Sequence, residues 1–147
     1  MNWAVFAAEM MAVLGVAKKQ KSPANAGLFI FTTMPKKILF VCIENSNRSQ
    51  MSQAFAKMIG GSEVKAYSSG SKPSGRINQK AIEAMKELGY DLKKHRSKDL
   101  EQVKEFAPFD AVVTMGCGDA CPWMPAKQFI DWQIPDPRDM NEEDFRK

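Results

Sequence analysis

Apolar residues are concentrated in four short segments from residue 37 onwards, and polar segments separate them. The first segment, K-I-L-F-V-C, is a continuous apolar run after its lysine, which is typical of a strand buried on both faces of a parallel sheet. The predicted strands cover residues 37–42, 63–68, 110–115 and 127–132.

Apolar positions at helical spacing fill the intervals between these strands. One helix is predicted from Ser49 until the Gly60-Gly61 pair stops it, and a second begins after a cap at Asn78. Ser97 is expected to cap a shorter helix. Strands that alternate with helices predict an α/β fold, a small doubly wound parallel four-stranded sheet with helices on both faces. Ligands of such sheets bind at the carboxyl ends of the strands.

Residues 1–33 differ from the rest of the chain. An apolar stretch is followed by lysines, whereas a secretory signal has its positive charges first, and the stretch is short for a membrane span. Three interpretations remain: a disordered or loosely helical leader, a weak membrane-surface helix, or residues upstream of a true start at Met34. The last is favoured, because Met34 leads directly into the first strand.

The catalytic domain is therefore expected at residues 34–147. A carboxyl-terminal helix begins at about residue 141 and looks truncated at Lys147. The apolar part of the leader is a candidate to cover the face of the sheet that a longer helix would cover.

Length, charge and cysteine content narrow the classes of function. A chain of 147 residues fits one domain, and a net charge of +4 without a basic block does not suggest a nucleic-acid surface. Three cysteines, Cys42, Cys117 and Cys121, favour a reducing compartment, here the cytoplasm, over a secreted disulfide scaffold. The single histidine, His95, rules out a histidine-rich metal site and is expected to be a surface or packing residue.

The segment between the first strand and the first predicted helix carries the candidate chemistry. We call residues 42–49 the anion loop; their sequence is Cys42-Ile43-Glu44-Asn45-Ser46-Asn47-Arg48-Ser49. Backbone N–H groups of such a loop and the following helix end attract an anion, and the Arg48 fork matches two oxygens of a tetrahedral oxyanion. A cysteine in that field is expected to be a nucleophilic thiolate, with Ser49 as a hydrogen-bond donor to Cys42. The alternative is a merely buried cysteine at a strand end.

These features resemble a known family. C-x5-R-S after the first strand, Tyr67-Ser68-Ser69-Gly70 and a late Asp-Pro pair are similar to the low-molecular-weight protein tyrosine phosphatase superfamily, and Arg48-Ser49-Gln50-Met51 with His95-x-Ser97 is similar to its arsenate reductases. The resemblance implies that Asn45 braces the loop through backbone hydrogen bonds, and Ser68 is expected to hydrogen-bond to Asn45. Two residues depart from the family pattern: Glu44 replaces a usual glycine, and Asn47 replaces a frequent cysteine. The Glu44 side chain is expected to point to solvent, because an inward charge would repel the anion.

The resemblance also supplies a general acid and a disulfide relay. Asp136, between two prolines, is implied to protonate the leaving oxygen, with an ordinary Asp-Pro turn as the alternative. Cys42 would form a thiol–arsenate adduct, Cys117 would attack Cys42, and Cys121 would attack Cys117. Inert structural cysteines and a zinc half-site are the alternatives for this pair.

The preferred function is therefore thiol-dependent reduction of arsenate to arsenite, coupled to a thioredoxin-like or low-molecular-weight thiol. No bound cofactor or metal, no membrane and a monomer are expected. The alternatives are a tyrosine or small-ester phosphatase that uses Cys42, Arg48 and Asp136, and a non-catalytic oxyanion-binding protein.

Overall fold

The computed structural model describes residues 3–15, 34–116 and 123–146. The strands are β1 (Lys36–Cys42), β2 (Val64–Gly70), β3 (Phe109–Thr114) and β4 (Ala126–Asp131). The α-helices are α1 (Trp3–Leu14), α2 (Arg48–Gly60), α3 (Gln79–Glu87), α4 (Glu101–Lys104) and α5 (Glu142–Arg146). Short 3₁₀ turns at Gly61–Glu63 and Leu92–Lys94 complete the elements.

The four strands form one parallel sheet in the order β2-β1-β3-β4. Side chains alternate across the sheet, so that Ile38 and Phe40 of β1 face one apolar cluster while Leu39 and Val41 face another. The first cluster lies beneath α1, α2 and α3, and the second lies beneath the α4 segment through Leu100 and Val103. The predicted doubly wound fold with helices on both faces is confirmed.

Helix α1 packs on the first of these clusters. Met10 and Leu14 are fully buried there, and the Lys36 Nζ donates to the carbonyl of Leu14 at 3.1 Å. The leader is therefore helical over residues 3–14 and contacts the sheet layer. The predicted start at Met34 stays a prediction, and the residues that link α1 to it lie outside those described.

The predicted cap of the shorter helix is wrong. Asp99 caps α4 instead, because its carboxylate accepts from the Gln102 N–H while its own N–H donates to the Gln102 side chain. Ser97 lies earlier and donates to the Glu44 carbonyl at 3.0 Å. The other predicted helices form, and Asn78 caps α3 by accepting from the Lys80 N–H.

None of the helices in the described part of the chain is long and apolar enough to cross a membrane.

Candidate active site

The anion loop connects the carboxyl end of β1 to the first turn of α2. Its carbonyls point outward, since those of Cys42, Ile43, Glu44 and Ser46 accept from backbone N–H groups of residues 71–78 at 2.8–3.2 Å. A trans peptide directs its N–H opposite to its C=O, so the next N–H groups face the inside of the loop. This arrangement is an anion nest at a helix amino end.

Two backbone features allow the loop to turn this tightly. Asn45 adopts a left-handed conformation with φ of 47°, which asparagine tolerates better than most residues. Gly70, at the end of β2, lies against the loop, and a Cβ there would come within 2.5 Å of the Ile43 carbonyl oxygen. The close approach of β2 therefore requires glycine at position 70.

Cys42 is buried, and its sulfur lies 2.9 Å from the Ser49 hydroxyl. The direction of this hydrogen bond follows from Asn45. The Lys98 backbone N–H can only donate, so the atom it contacts is the Asn45 Oδ1, and the Asn45 Nδ2 then donates to Ser49 at 2.8 Å. Ser49 accepts this bond and keeps its own proton for the sulfur. The Ser49 hydroxyl is therefore the donor to the Cys42 sulfur.

Gln50 and His95 extend the same network outward. The fully buried Gln50 amide nitrogen donates to the Asn45 side chain at 2.8 Å, and its oxygen lies 2.9 Å from the His95 Nδ1. His95 must then carry its proton on Nδ1 and accept from the Tyr90 hydroxyl at Nε2, 2.8 Å away. Burial, aided by nearby Lys57 and Lys98, lowers the pKa of His95 to about 4, so the ring is neutral near pH 7.

Arg48 lies at the start of α2 and joins the anion loop to the segment after β4. Its Nη1 donates to the carbonyls of Met115 and Ile134, both at 2.8 Å, and its Nη2 donates to the Asp136 carboxylate at 3.0 Å. These contacts use three of the five guanidinium N–H groups and leave others for an anion. We call residues 132–138 the acid loop.

Glu44 does not point freely to solvent as expected. One carboxylate oxygen lies 3.1 Å from Arg138, and the other accepts from the Ser46 hydroxyl at 3.3 Å. Arg138 also contacts the Asp136 carboxylate at 3.4 Å, and its backbone N–H donates to Asp136 at 3.1 Å. An opposite charge from the acid loop therefore offsets the Glu44 charge.

A small cleft lies where these groups meet. Its walls carry the predicted nucleophile, arginine and acid together with loop and neighbouring polar residues: Cys42, Glu44, Ser46, Asn47, Arg48, Asn78, Asp136 and Arg138. The Asn47 side chain is buried, and neither of its polar atoms has a hydrogen-bond partner among the described residues. The cleft therefore offers a nucleophile, cations and an unpartnered amide to a small anion.

Two groups of predicted site residues are not among the residues that line the cleft. Ser68 does not bond to Asn45, because its hydroxyl donates to the buried Gln53 side chain at 2.6 Å and so faces α2. Cys117 and Cys121 lie outside the described residues.

Sequence reasoning missed three contributors to the site. Gln50 and His95 belonged to the quoted motifs, but only the fold places His95 beside Gln50. Arg138 was not among the predicted site residues, because no local pattern pairs it with Glu44.

Comparisons with known proteins agree with this geometry. A family model described as low molecular weight phosphotyrosine protein phosphatase matches residues 37–147. A glutaredoxin arsenate reductase of Synechocystis is 38% identical over 114 residues, which are 76% of this chain and 86% of the relative. An arsenate reductase of Staphylococcus epidermidis is 42% identical over 106 residues, which are 69% of this chain and 79% of the relative.

Solved structures give the same relationship. An arsenate reductase in its phosphate-binding state aligns with a TM-score of 0.66 at 36% identity, covering 76% of this chain and 86% of the other. A thioredoxin-dependent arsenate reductase of Corynebacterium glutamicum aligns with a TM-score of 0.60 at 30% identity, covering 99% of this chain and 67% of the other. With the matched family model and the C-x5-R-S loop in place, the chain belongs to the low molecular weight phosphotyrosine protein phosphatase family.

Proposed function

We propose that the protein reduces arsenate to arsenite by thiol chemistry that begins at Cys42. The observation that carries this proposal is the small cleft that holds Cys42, Arg48 and Asp136 together, in a chain whose relatives are arsenate reductases. The same three residues would also serve a phosphatase. The names of the relatives favour reduction.

The first step forms a bond between sulfur and arsenic. The Cys42 thiolate, stabilised by the Ser49 hydroxyl, attacks arsenic while the loop N–H groups and Arg48 hold the other oxygens. An As–O bond breaks, and Asp136 supplies the proton with which that oxygen leaves as water. Asp136 is ion-paired with Arg48 in the free protein. An arriving anion competes for this guanidinium and so frees the Asp136 carboxyl group to face the leaving oxygen.

The second step carries the two electrons. Cys117 attacks the sulfur of Cys42, the S–As bond breaks with its electron pair on arsenic, and arsenite leaves. Cys121 then attacks Cys117, frees Cys42 and leaves a disulfide between Cys117 and Cys121. Both cysteines follow β3 closely in the sequence, which supports this order.

An external thiol must then reduce that disulfide. The thioredoxin dependence of the Corynebacterium glutamicum protein supports a thioredoxin-like partner, and the name of the Synechocystis relative supports a glutaredoxin-type alternative. Either partner requires a reducing compartment, which supports the cytoplasm as the location.

Two assays on the same preparation test the proposal. Arsenate-dependent NADPH oxidation with thioredoxin and its reductase is measured beside hydrolysis of an aryl phosphate. We expect arsenate turnover that is lost in Cys42→Ser and strongly reduced in Cys117→Ser and in Cys121→Ser. Turnover that survives the Cys117→Ser/Cys121→Ser double substitution, with thioredoxin as the only thiol, would refute the relay.

The same measurements separate the alternatives. Fast aryl phosphate hydrolysis without arsenate turnover would assign the site to a phosphatase. Arsenate binding without either activity would indicate a non-catalytic oxyanion-binding protein.

A further inference from the structure

We propose that Glu44 and Arg138 form a closing pair across the cleft, which selects a free oxyanion against its organic esters. The pair joins the anion loop to the acid loop at 3.1 Å. This inference deepens the proposed function and rests on it for the identity of the natural oxyanion. Nothing in the C-x5-R-S motif requires either residue.

Each partner of the closing pair is anchored on its own side. Glu44 is fixed by Ser46 in the anion loop, and Arg138 is fixed by two contacts to Asp136 in the acid loop. A salt bridge between two loops that are each anchored in this way restrains their separation more than an isolated surface pair does. The pair therefore sets how widely the cleft opens.

The closing pair is more exposed to solvent than Cys42. Cys42 is only 3% exposed, whereas the side chains of Glu44 and Arg138 are 33% and 49% exposed and line the same cleft. The cleft is narrow where the two side chains meet, because they approach each other to 3.1 Å. The organic group of an ester bound at Cys42 would have to displace the pair, whereas a free oxyanion carries no such group.

The charges around the cleft explain how an acidic residue is tolerated in an anion loop. Glu44 and Asp136 contribute two carboxylates, and Arg48 and Arg138 contribute two guanidinium groups that pair with them. Removal of Arg138 leaves Glu44 without its counter-charge and lowers anion affinity. Removal of the Glu44 charge frees Arg138 for the anion and raises anion affinity.

Asn47 gives an independent indication of the ligand. Its buried amide has an unpartnered donor and an unpartnered acceptor in the wall of the cleft. Hydrogen phosphate and hydrogen arsenate carry both oxygen acceptors and one hydroxyl donor, so they can satisfy both atoms. The dianion of a phosphate ester or of a phosphonate has no hydroxyl and leaves the amide oxygen unpaired.

Binding of two probes to the full chain tests the proposal without relying on turnover. Dissociation constants for inorganic phosphate and for phenylphosphonate are measured by calorimetry at mildly alkaline pH, where both are dianions. We expect the wild type to prefer phosphate by at least about tenfold. Glu44→Gln and Arg138→Gln should each reduce this preference severalfold, and the double variant should reduce it no further than the single variants.

The absolute affinities provide a second readout that general loosening of the fold would not produce. Phosphate should bind more tightly to Glu44→Gln and more weakly to Arg138→Gln. Asn47→Ala should weaken phosphate more than phenylphosphonate. Arg76→Gln, an exposed arginine in the loop after β2, is the control and should match the wild type.

An unchanged preference in both Glu44→Gln and Arg138→Gln would overturn the proposal, and so would a wild type that binds both probes equally. These outcomes are distinct from failure of the proposed function. If the protein prefers phosphate through the closing pair but does not turn over arsenate, the closing pair is supported and the proposed arsenate reduction is refuted.

Discussion

The Cys42 sulfur receives the last hydrogen bond of a series whose direction is fixed at Asn45, where the Lys98 backbone N–H donates to the Asn45 Oδ1. His95 donates to Gln50, Gln50 donates to Asn45, Asn45 donates to Ser49, and the proton left on Ser49 faces the sulfur. Each link is buried or half-buried, where such bonds are stronger than in water. The hydrogen bond to the Cys42 sulfur is therefore in place before any substrate arrives.

Ser49→Ala should remove the hydroxyl that donates to the Cys42 sulfur. A hydrogen bond to a charged group contributes about 1.5–3 kcal/mol, so alkylation of Cys42 by iodoacetamide at neutral pH should slow by about tenfold or more. The rate constant is followed by mass spectrometry in the presence of Cys117→Ser and Cys121→Ser. Ser52→Ala is the control, because its buried hydroxyl bonds only the Arg48 carbonyl and the Met115 sulfur. Equal rates in both variants would show that Ser49 does not stabilise the thiolate.

His95 predicts a specific dependence of stability on pH. Its folded pKa of about 4 lies below the ordinary value of 6.5, so in this interval the unfolded chain binds a proton that the folded chain does not. The stability that neutral His95 contributes is present above about pH 6.5 and is lost as the pH falls toward 4. The free energy of unfolding, measured with urea at several pH values in this interval, should rise with pH in the wild type. In His95→Asn this dependence on pH should be weaker, by the equivalent of up to one proton. An identical slope in the variant would contradict the neutral, buried histidine.

At the residue scale, chemical type was predictable and orientation was not. The motif located Cys42, Arg48 and Asp136, which the fold brings into one cleft. The direction of Glu44 depended on Arg138, which is distant in sequence, so no local pattern could predict it. The role of His95 was missed for the same reason.

The contact between β2 and the anion loop is the element-scale feature on which the site depends most. Gly70→Ala should place a methyl group within 2.5 Å of the Ile43 carbonyl and 2.8 Å of the Asn45 nitrogen. We expect a loss of about 1–3 kcal/mol in unfolding free energy and at least tenfold weaker phosphate binding.

Gly89→Ala is the matched control for Gly70→Ala. It also loses stability, because Gly89 has φ of 82°, but its Cβ would meet nothing within 4 Å. Phosphate binding should therefore be retained. Normal binding in Gly70→Ala would show that the loop does not need this close approach.

Helix α1 is expected to stabilise the sheet layer. Leu14→Ala removes a fully buried side chain and should lower the unfolding free energy by about 2–5 kcal/mol, whereas Ala12→Ser on the exposed side should have little effect. Urea denaturation of the full chain measures both. An unchanged melting temperature after deletion of residues 1–33 would exclude a packing role for α1.

The strands and helices were largely predictable because their apolar spacing is regular. The ends of the elements were less so: β2 continues to Gly70 because it pairs with β1 up to Cys42, and this pairing is not local. The cap at Ser97 failed because that hydroxyl bonds the Glu44 carbonyl instead of a helix N–H. Tertiary contacts decided both cases.

At the scale of the whole molecule, the parallel sheet collects the chemistry at one edge. β1 delivers Cys42, the carbonyl of Met115 after β3 holds Arg48, and the acid loop after β4 supplies Asp136. The fold class implied this edge, because ligands bind where parallel strands end. The cysteines that would complete the reaction follow β3 in the sequence.

One single-turnover measurement tests the central claim most directly. Fully reduced protein, freed of external thiols, is mixed with excess arsenate, and arsenite and remaining thiols are counted. Reduction of one arsenate consumes two thiols, so we predict one arsenite for each chain and the loss of two of its three cysteine thiols. Cys42→Ser should produce none. Arsenite from Cys42→Ser, or no arsenite from the intact protein with arsenate bound, would contradict the account.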